Sequence, residues 1–174
     1  MLEEKAVNIR LFFMDVDGVM TDGRISLNEE GEEGTKSFNV KDGLGLKMLI
    51  SSGVEVVIVT GRRSRVVEKR ARDLGVHEVY QGVDDKRALC KQLINKKGFK
   101  RHEVCCMGDD LPDIGMFAEA GLRIAVADAA EEVREVSDFV TRSRGGAGAV
   151  REACELLLKC QGKWDHAVSV FTGK

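Results

Sequence analysis

Several residue types and patterns are scarce in this sequence, and each scarcity excludes a class of protein. The 174 residues include one proline, one tryptophan and one tyrosine, while 43% are hydrophobic and 32% are charged. This balance differs from the low hydrophobicity of disordered chains and from the repetitive composition of fibrous ones. The apolar runs are all far shorter than the roughly 20 residues that cross a bilayer. We therefore expect a globular protein without membrane segments, located in the cytoplasm.

Charge of neither sign dominates, and no basic block is present. Lysine and arginine together number 27 against 29 acidic residues, which gives a formal net charge of -2. Nucleic acid is therefore not an expected partner. The five cysteines are odd in number and lack CxxC spacing, so neither a zinc site nor a disulfide framework is supported. The length and the absence of internal repeats predict a single domain over 1–174, with a flexible C-terminal tail from about 161.

Short apolar runs alternate with segments of helical periodicity. Strand then helix, repeated, predicts an α/β fold, specifically a Rossmann-like doubly wound parallel sheet. The apolar runs suit strands that are buried on both faces. They occupy 9–14, 54–59, 104–107 and 122–126, and the helical segments occupy 44–50, 66–74, 88–94, 114–120 and 149–158.

The stretch from about 23 to 40 interrupts this alternation. Ile25 and Leu27 alternate with polar residues before a turn rich in glutamate and glycine, and Phe38 and Val40 do so after it. This pattern predicts a β-hairpin inserted after the first strand. Because an isolated hairpin is marginally stable in water, we expect it to pack on another subunit.

Acidic and hydroxyl side chains follow the predicted strands directly. Asp15 and Asp17 come after the first run, Thr60 after the second and Asp109 after the third. Ligands of open parallel sheets bind beyond the carboxyl ends of the strands, so these side chains should converge. Carboxylates gathered in one place need a cation, and oxygen ligands together with a phosphate suit Mg²⁺. The predicted metal ligands are therefore Asp15, Asp17 and Asp109, in a site that handles phosphate.

Each of these residues suits a step of phosphate transfer. Asp15 is a candidate nucleophile, and Asp17, on the same side of the extended chain, is a candidate proton donor and acceptor. Gly18 allows the backbone to pass close to the phosphate. The hydroxyl of Thr60 suits a phosphate oxygen, and Lys86 suits the charge of the transition state.

Neighbouring residues extend this predicted site. Gly61 and Arg62 follow Thr60 directly, and we favour substrate contact for Arg62. Asp110 and Asp113 lie close to Asp109, where Asp113 could orient Lys86 or a water bound to the metal. A single DxD or Thr-Gly is common in turns, so the prediction depends on their joint occurrence at four strand ends.

Four motifs together resemble those of the haloacid dehalogenase (HAD) superfamily of phosphatases. Further stretches are similar to the 3-deoxy-D-manno-octulosonate 8-phosphate (KDO 8-phosphate) phosphatase family, and the similarity covers nearly the whole chain. The superfamily motifs are Phe13-Met14-Asp15-Val16-Asp17-Gly18-Val19, Val59-Thr60-Gly61-Arg62, Lys86 and Gly108-Asp109-Asp110-Leu111-Pro112-Asp113, and the family stretches are 15–23, 38–43, 80–82 and 145–152.

The resemblance implies a capless HAD fold and Mg²⁺-dependent hydrolysis of KDO 8-phosphate through an aspartyl-phosphate, in lipopolysaccharide precursor synthesis. It also implies a homotetramer in which the hairpins of four subunits meet in a barrel. Thr21, Asp42 and Gly43 would contribute to substrate binding. Their motifs are among those that the resemblance covers.

Two positions bear on the choice of substrate within the family. Relatives that act on KDN 9-phosphate tend to carry glutamate where this chain has Arg62, so we place KDO 8-phosphate first and KDN 9-phosphate second. Family members often have arginine where Ala147 stands in the glycine-rich C-terminal motif. Arg144 is a candidate replacement, and the contribution of the tail stays open.

Two other classes compete with a phosphatase. A receiver-type phosphoacceptor domain also gathers aspartates, threonine and lysine around Mg²⁺. Here, however, DxD follows the first strand, Asp109 comes late, and the hairpin has no counterpart. The second competitor is a non-catalytic oligomerisation module. The presence together of all five candidate catalytic and metal residues argues against it, namely Asp15, Asp17, Thr60, Lys86 and Asp109.

Overall fold

The computed structural model describes residues 1–31 and 33–173 of the chain, and Glu32 of the predicted hairpin turn lies outside them, as does Lys174. The strands are β1 (Leu11–Met14), β2 (Ser26–Leu27), β3 (Glu33–Thr35), β4 (Glu55–Thr60), β5 (Glu78–Gln81), β6 (Val104–Gly108), β7 (Leu122–Ala125) and β8 (Phe139–Val140). The α-helices are α1 (Leu2–Ala6), α2 (Val40–Ser51), α3 (Arg65–Leu74), α4 (Lys86–Lys97), α5 (Leu111–Phe117), α6 (Glu131–Glu135), α7 (Ala149–Cys160) and α8 (Trp164–Thr172), with a 3₁₀ turn at Arg101–Glu103.

The main sheet is parallel, with strand order β5-β4-β1-β6-β7-β8 over the described residues. The first strand of the chain is thus central, and all four of its residues are buried. Its neighbours β4 and β6 are buried along almost their whole length, which explains their continuous apolar sequences. The predicted α/β fold with a doubly wound parallel sheet is confirmed.

The helices form two packed groups. In one group α2 packs against α7 and α3, and in the other α5 packs against α4 and α6. Right-handed crossovers place the two groups on opposite faces of the sheet. Gly75 and Gly98 end α3 and α4 in the left-handed conformation, which glycine adopts without strain.

The inserted hairpin is present but shorter than predicted. Strands β2 and β3 form a separate antiparallel pair, and the described part of β3 ends at Thr35. Phe38 and Val40, predicted for its second arm, are therefore not strand residues. The reason is Asn39, whose side chain accepts a hydrogen bond from the Lys41 backbone N–H and so begins α2 at Val40.

Three further elements lack an apolar run or a clear period in the sequence. Strand β5 is only half-buried, and β8 has two residues. Helix α8 occupies the segment for which a flexible tail is predicted, and its first residue, Trp164, packs against the core. Along the described chain, no helix is both long and apolar enough to cross a membrane.

Candidate active site

The residues that follow β1, β4 and β6 meet at one edge of the main sheet. Met14 of β1 lies opposite Ile58 of β4 and Met107 of β6, so the next residues of all three strands are neighbours. A cleft of about 450 Å³ opens at this edge. Its lining includes most of the predicted site residues, namely Asp15, Asp17, Thr60, Gly61, Arg62, Lys86, Asp109, Asp110 and Asp113.

Three carboxylates form the centre of the cleft. Oxygens of Asp15, Asp109 and Asp113 lie within 4.8 Å of one another. Burial, reinforced by the negative charge of Asp113, raises the pKa of Asp15 to about 6 and that of Asp109 to about 8. A bound cation would reduce the electrostatic repulsion between these carboxylates. Their oxygen atoms are ligands that Mg²⁺ prefers. The residues present thus fit a divalent metal.

Lys86 neutralises part of this charge. It is the first residue of α4, whose N-cap Asp85 accepts a hydrogen bond from the Ala88 backbone N–H. The buried ammonium of Lys86 donates to Oδ1 of Asp15 and to Oδ1 of Asp113, each at 2.6 Å. Burial alone would lower the pKa of Lys86, but the two carboxylates outweigh it and raise that pKa. The lysine is therefore a fixed positive charge beside Asp15.

Asp113 also fixes the backbone of the loop that carries Asp109. Its Oδ2 accepts hydrogen bonds from the backbone N–H groups of Asp109, at 2.8 Å, and Asp110, at 3.3 Å. Asp110 itself caps α5 by accepting from the Leu111 backbone N–H at 2.8 Å. The sequence predicts both residues beside the metal ligand Asp109. In the structure Asp113 joins the carboxylate group directly, and Asp110 caps the helix.

The carboxylate of Asp17 faces a different partner. It lies outside the group of three carboxylates, and its Oδ1 accepts a hydrogen bond from the ammonium of Lys36, which follows β3 of the hairpin. The guanidinium Nε of Arg62 is 4.0 Å from the other oxygen, Oδ2. Sequence reasoning missed Lys36 because it does not follow a strand of the main sheet, and no local motif indicates it.

Thr60 lines the cleft, and Gly18 packs closely against Asp109, which also lines it. Gly18 has a φ of +91°, and a Cβ atom there would lie 2.0 Å from Oδ2 of Asp109, so only glycine fits. Thr60 is buried at the end of β4, and its carbonyl accepts a hydrogen bond from the Val83 backbone N–H at 3.1 Å. Gly61 continues this turn, with the Val83 carbonyl 3.7 Å from the position of a Cβ atom.

Three residues that the resemblance assigned to substrate binding do not line the cleft over the described chain. The hydroxyl of Thr21 is buried under the loop after β1, where it accepts from the Gly18 and Gly23 backbone N–H groups at 3.4 and 3.3 Å. Asp42 accepts hydrogen bonds from backbone N–H groups at the start of α7. A Cβ atom at Gly43 would lie 2.4 Å from the Arg70 guanidinium, so this glycine allows α2 to approach α3.

The glycine-rich segment before α7 lies against the loop after β1. A Cβ atom at Gly145 would lie 1.7 Å from the Gly18 carbonyl oxygen, and one at Gly146 would lie 2.5 Å from the Thr21 carbonyl carbon. Arg144, the candidate replacement for an arginine at 147, is exposed and pairs with Asp128 at 3.4 Å.

Comparison with known proteins decides the family of the chain. A family model described as haloacid dehalogenase-like hydrolase matches residues 75–152. The 3-deoxy-D-manno-octulosonate 8-phosphate phosphatase KdsC of Yersinia pestis is 44% identical over 167 residues, which are 96% of this chain and 89% of the relative. The enzyme of the same name from Escherichia coli K12 is 46% identical over 163 residues, 94% of this chain and 86% of the relative. This chain belongs to the KDO 8-phosphate phosphatase family.

Solved structures of KDO 8-phosphate phosphatases share the fold. The enzyme from Moraxella catarrhalis superposes with a TM-score of 0.94 and 46% identity, covering 98% of this chain and 97% of that one. That crystal contains a magnesium ion, a phosphate ion and a KDO molecule. The cobalt-bound phosphatase from Haemophilus influenzae has a TM-score of 0.88 at 39% identity, covering 92% of this chain and 93% of that one. The resemblance noted in the sequence is confirmed.

Proposed function

We propose that this chain is a Mg²⁺-dependent phosphomonoesterase that hydrolyses KDO 8-phosphate to KDO and inorganic phosphate, in lipopolysaccharide precursor synthesis. One observation carries the proposal. In this member of the KDO 8-phosphate phosphatase family, Asp15, Asp109 and Asp113 lie together in one cleft, and Lys86 contacts Asp15 and Asp113 there. A cytoplasmic location remains a prediction from the sequence.

Asp15 is the proposed nucleophile. Lys86 occupies its Oδ1, which leaves Oδ2 to form a bond to phosphorus while the bond from phosphorus to the sugar oxygen breaks. The product of this step is an aspartyl-phosphate, which water then hydrolyses. Lys86 stabilises the negative charge of the phosphoryl group in the transition state, and Asp113 holds the lysine in place.

Asp17 and Thr60 serve the leaving group and the phosphate. The Asp17 carboxyl donates a proton to the departing sugar oxygen and takes one from the attacking water in the second step. Thr60 and the backbone of Gly61 bind phosphate oxygens, and Gly18 allows the phosphate to approach.

The proposed Mg²⁺ ligands are Asp15 and Asp109, and a bound ion would neutralise the phosphate dianion as it approaches a carboxylate. The sequence alone predicts Asp17 as a third ligand. Because its carboxylate faces Lys36 and lies outside the group of three, we assign that carboxylate to proton transfer. Asp113 lies in the group and orients Lys86, and Asp110 fixes the loop.

Arg62 supports a substrate that carries a carboxylate. Its guanidinium lies at the mouth of the cleft with its side chain 45% exposed, where it could bind the acid group of KDO. KDN 9-phosphate carries the same kind of group and is the alternative substrate. Thr21, Asp42 and Gly43 support the site through the loop and helices that they fix, and we propose no direct substrate contact for them.

We also propose a homotetramer assembled through the hairpins. Ile25 and Leu27 are 46% and 62% exposed, and Val40 next to the hairpin is 79% exposed. A two-stranded sheet with apolar residues exposed to water needs a partner to be stable. A neighbouring subunit would cover these residues and give a capless cleft a further wall.

The decisive experiment measures phosphate release from KDO 8-phosphate and KDN 9-phosphate, with Mg²⁺ and with EDTA. We expect Mg²⁺-dependent hydrolysis with preference for KDO 8-phosphate. Asp15→Asn should lower kcat by at least about 10³-fold, because the amide cannot form the aspartyl-phosphate. Asp73→Asn, which alters an exposed aspartate on α3, is the matched control and should match the parent enzyme.

Two results would contradict the proposal. Preference for KDN 9-phosphate would overturn the assignment of KDO 8-phosphate as substrate but not the proposed mechanism of hydrolysis. A folded protein that hydrolyses no phosphomonoester with Mg²⁺ would leave the non-catalytic oligomerisation module as the function.

A further inference from the structure

The hairpin of the chain supplies a buried lysine to its own cleft. Lys36 directly follows β3, and its side chain is only 2% exposed. Its ammonium donates to Oδ1 of Asp17 and lies 2.6 Å from Oε1 of Glu33 on the same hairpin. Lysine is almost never buried unless it is paired. The burial of Lys36 therefore depends on the carboxylates of Asp17 and Glu33. The hairpin is therefore in contact with the catalytic site as well as exposed for assembly.

The two oxygens of Asp17 are not equivalent in this arrangement. Oδ1 accepts a hydrogen bond from Lys36, whereas the Arg62 Nε is 4.0 Å from Oδ2, beyond hydrogen-bond distance. The lysine thus fixes one oxygen of the carboxyl group and leaves the other toward the cleft. A carboxyl group held by one oxygen presents the second in a defined direction to the leaving group.

Glu33 connects this lysine to the end of β4. Its Oε2 accepts two hydrogen bonds from the guanidinium of Arg62, from Nε at 3.1 Å and from Nη2 at 2.9 Å. Its other oxygen faces Lys36. One glutamate therefore orients both cations that lie beside Asp17, and it joins the hairpin to the strand end that carries Thr60 and Arg62.

We propose that Lys36 is a positioning residue for proton transfer by Asp17. Glu33 holds Lys36 and Arg62 in place beside the Asp17 carboxylate. The inference depends on the proposed phosphatase function and goes beyond it, because it makes the hairpin a part of the proton-transfer apparatus of its own subunit. Lys36 itself exchanges no proton with substrate. It determines which Asp17 oxygen meets the leaving group.

This role has a kinetic signature that depends on the leaving group. A poor leaving group must receive a proton as it departs, whereas p-nitrophenolate departs readily without one. The value of kcat/KM reports on the step that releases the leaving group. Loss of Lys36 should therefore lower kcat/KM far more for phenyl phosphate than for p-nitrophenyl phosphate, two esters of nearly the same shape.

The experiment compares Lys36→Met and Lys36→Arg with the parent enzyme on both esters, in the presence of Mg²⁺. We expect Lys36→Met to lower kcat/KM for phenyl phosphate by on the order of tenfold more than for p-nitrophenyl phosphate. Lys36→Arg, which keeps a cation, should recover part of the difference. Glu33→Gln should change the ratio in the same direction by a smaller factor. The matched control is Lys69→Met, which removes an exposed lysine paired with Asp73 and should leave the ratio unchanged.

The outcomes separate this inference from the proposed function. Equal losses on the two esters, or no loss, in an active enzyme would overturn the positioning role while leaving the phosphatase intact. If Lys36→Met fails to fold, the ratio of kcat/KM for the two esters is measured with Lys36→Arg and Glu33→Gln instead. An unchanged ratio in both variants would overturn the positioning role. A parent enzyme that is inactive on every phosphomonoester would overturn the proposed function itself.

Discussion

Asp113 has the largest number of roles of any side chain in the cleft. One oxygen accepts from Lys86 and the other from two backbone N–H groups of the loop that carries Asp109. Its charge also contributes, after burial, to the raised pKa values of Asp15 and Asp109. The site without metal is therefore under electrostatic strain that increases as its carboxyl groups lose protons.

This strain predicts how the effect of Mg²⁺ depends on pH. The pKa of Asp15 is raised to about 6 and that of Asp109 to about 8, so the folded state binds more protons than the unfolded state between the ordinary value of 3.8 and these values. In EDTA, the free energy of unfolding should therefore fall as pH rises through this range. Mg²⁺ needs the ionised carboxylates, so its affinity should rise over the same range, by up to roughly tenfold per pH unit for one displaced proton.

The measurement is the increase in thermal midpoint on adding Mg²⁺, at pH 6 and at pH 8. We expect a larger increase at pH 8. Asp109→Asn should reduce the increase at both values and is the control for binding at this site. An equal increase at the two pH values in the parent enzyme would contradict the prediction.

At the residue scale, the sequence predicts groups that follow strands and misses groups that reach the site from elsewhere. Asp15, Thr60 and Asp109 were predictable because parallel strands bring their carboxyl ends together. Lys36 was not, since its position depends on how the hairpin folds back over the cleft. Asp42 is the opposite case: the resemblance implies substrate binding for it, and the structure adds hydrogen bonds to backbone groups at the start of a distant helix that no motif indicates.

At the scale of elements, the turn before α7 supports the loop after β1. Gly145 and Gly146 allow the backbone to contact Gly18 and Thr21 directly, and Asp42 of α2 holds the adjoining start of α7. The neighbouring atoms belong to backbone, so they cannot move aside for a side chain. The loop that carries Asp17 is therefore positioned by a segment more than a hundred residues away in sequence.

Gly145→Ala tests this contact. Its Cβ atom would lie 1.7 Å from the Gly18 carbonyl oxygen, so the loop must shift. We expect a loss of stability of about 1–3 kcal/mol, as for other overpacked sites, together with a clear loss of kcat. Ser51→Ala is the control, because Ser51 is exposed at the C-terminal end of α2, outside the hairpin and the cleft. Parental kcat and thermal midpoint in Gly145→Ala would contradict the proposed contact.

Elements were predictable where burial produces a continuous apolar run or a clear helical period. Strand β1 and its neighbours meet this condition because both faces of the sheet are covered. Strand β5 is half-buried at the edge of the sheet, and its Glu-Val-Tyr-Gln sequence carries no comparable signal. At Val40 the alternating pattern was misleading, since the Asn39 cap outweighs it and begins a helix.

At the scale of the whole molecule, the hairpin carries two kinds of residue. Lys36 contacts Asp17 and Glu33 contacts Arg62, both of which line the cleft of the same chain, whereas Ile25 and Leu27 are exposed. A tetramer would bury the exposed residues and hold the hairpin, and with it Lys36, in one position. Assembly and catalysis would then depend on the same element.

Leu27→Asp tests this dependence. A charge in the proposed shared barrel would need to be buried without a partner, so we expect a species smaller than the parent assembly. Light scattering after size-exclusion chromatography measures the mass, and phosphate release from the same fractions measures activity. Val7→Asp alters an exposed valine outside the hairpin and should keep the parental mass. A parental mass for Leu27→Asp would contradict assembly through the hairpin.

The central position of β1 has a consequence for the order of events during synthesis. Strand β1, which precedes the proposed nucleophile, is made long before its partner β6, which begins at Val104, and before the turn at Gly145 that contacts the loop after β1. Chains are made from the N-terminus, and contacts between distant residues form late. A nascent chain therefore cannot bring Asp15 to Asp109 and Asp113 until β6 and the residues after it have been made. The carboxylate group forms first, and the loop after β1 is fixed only once the turn at Gly145 has been made.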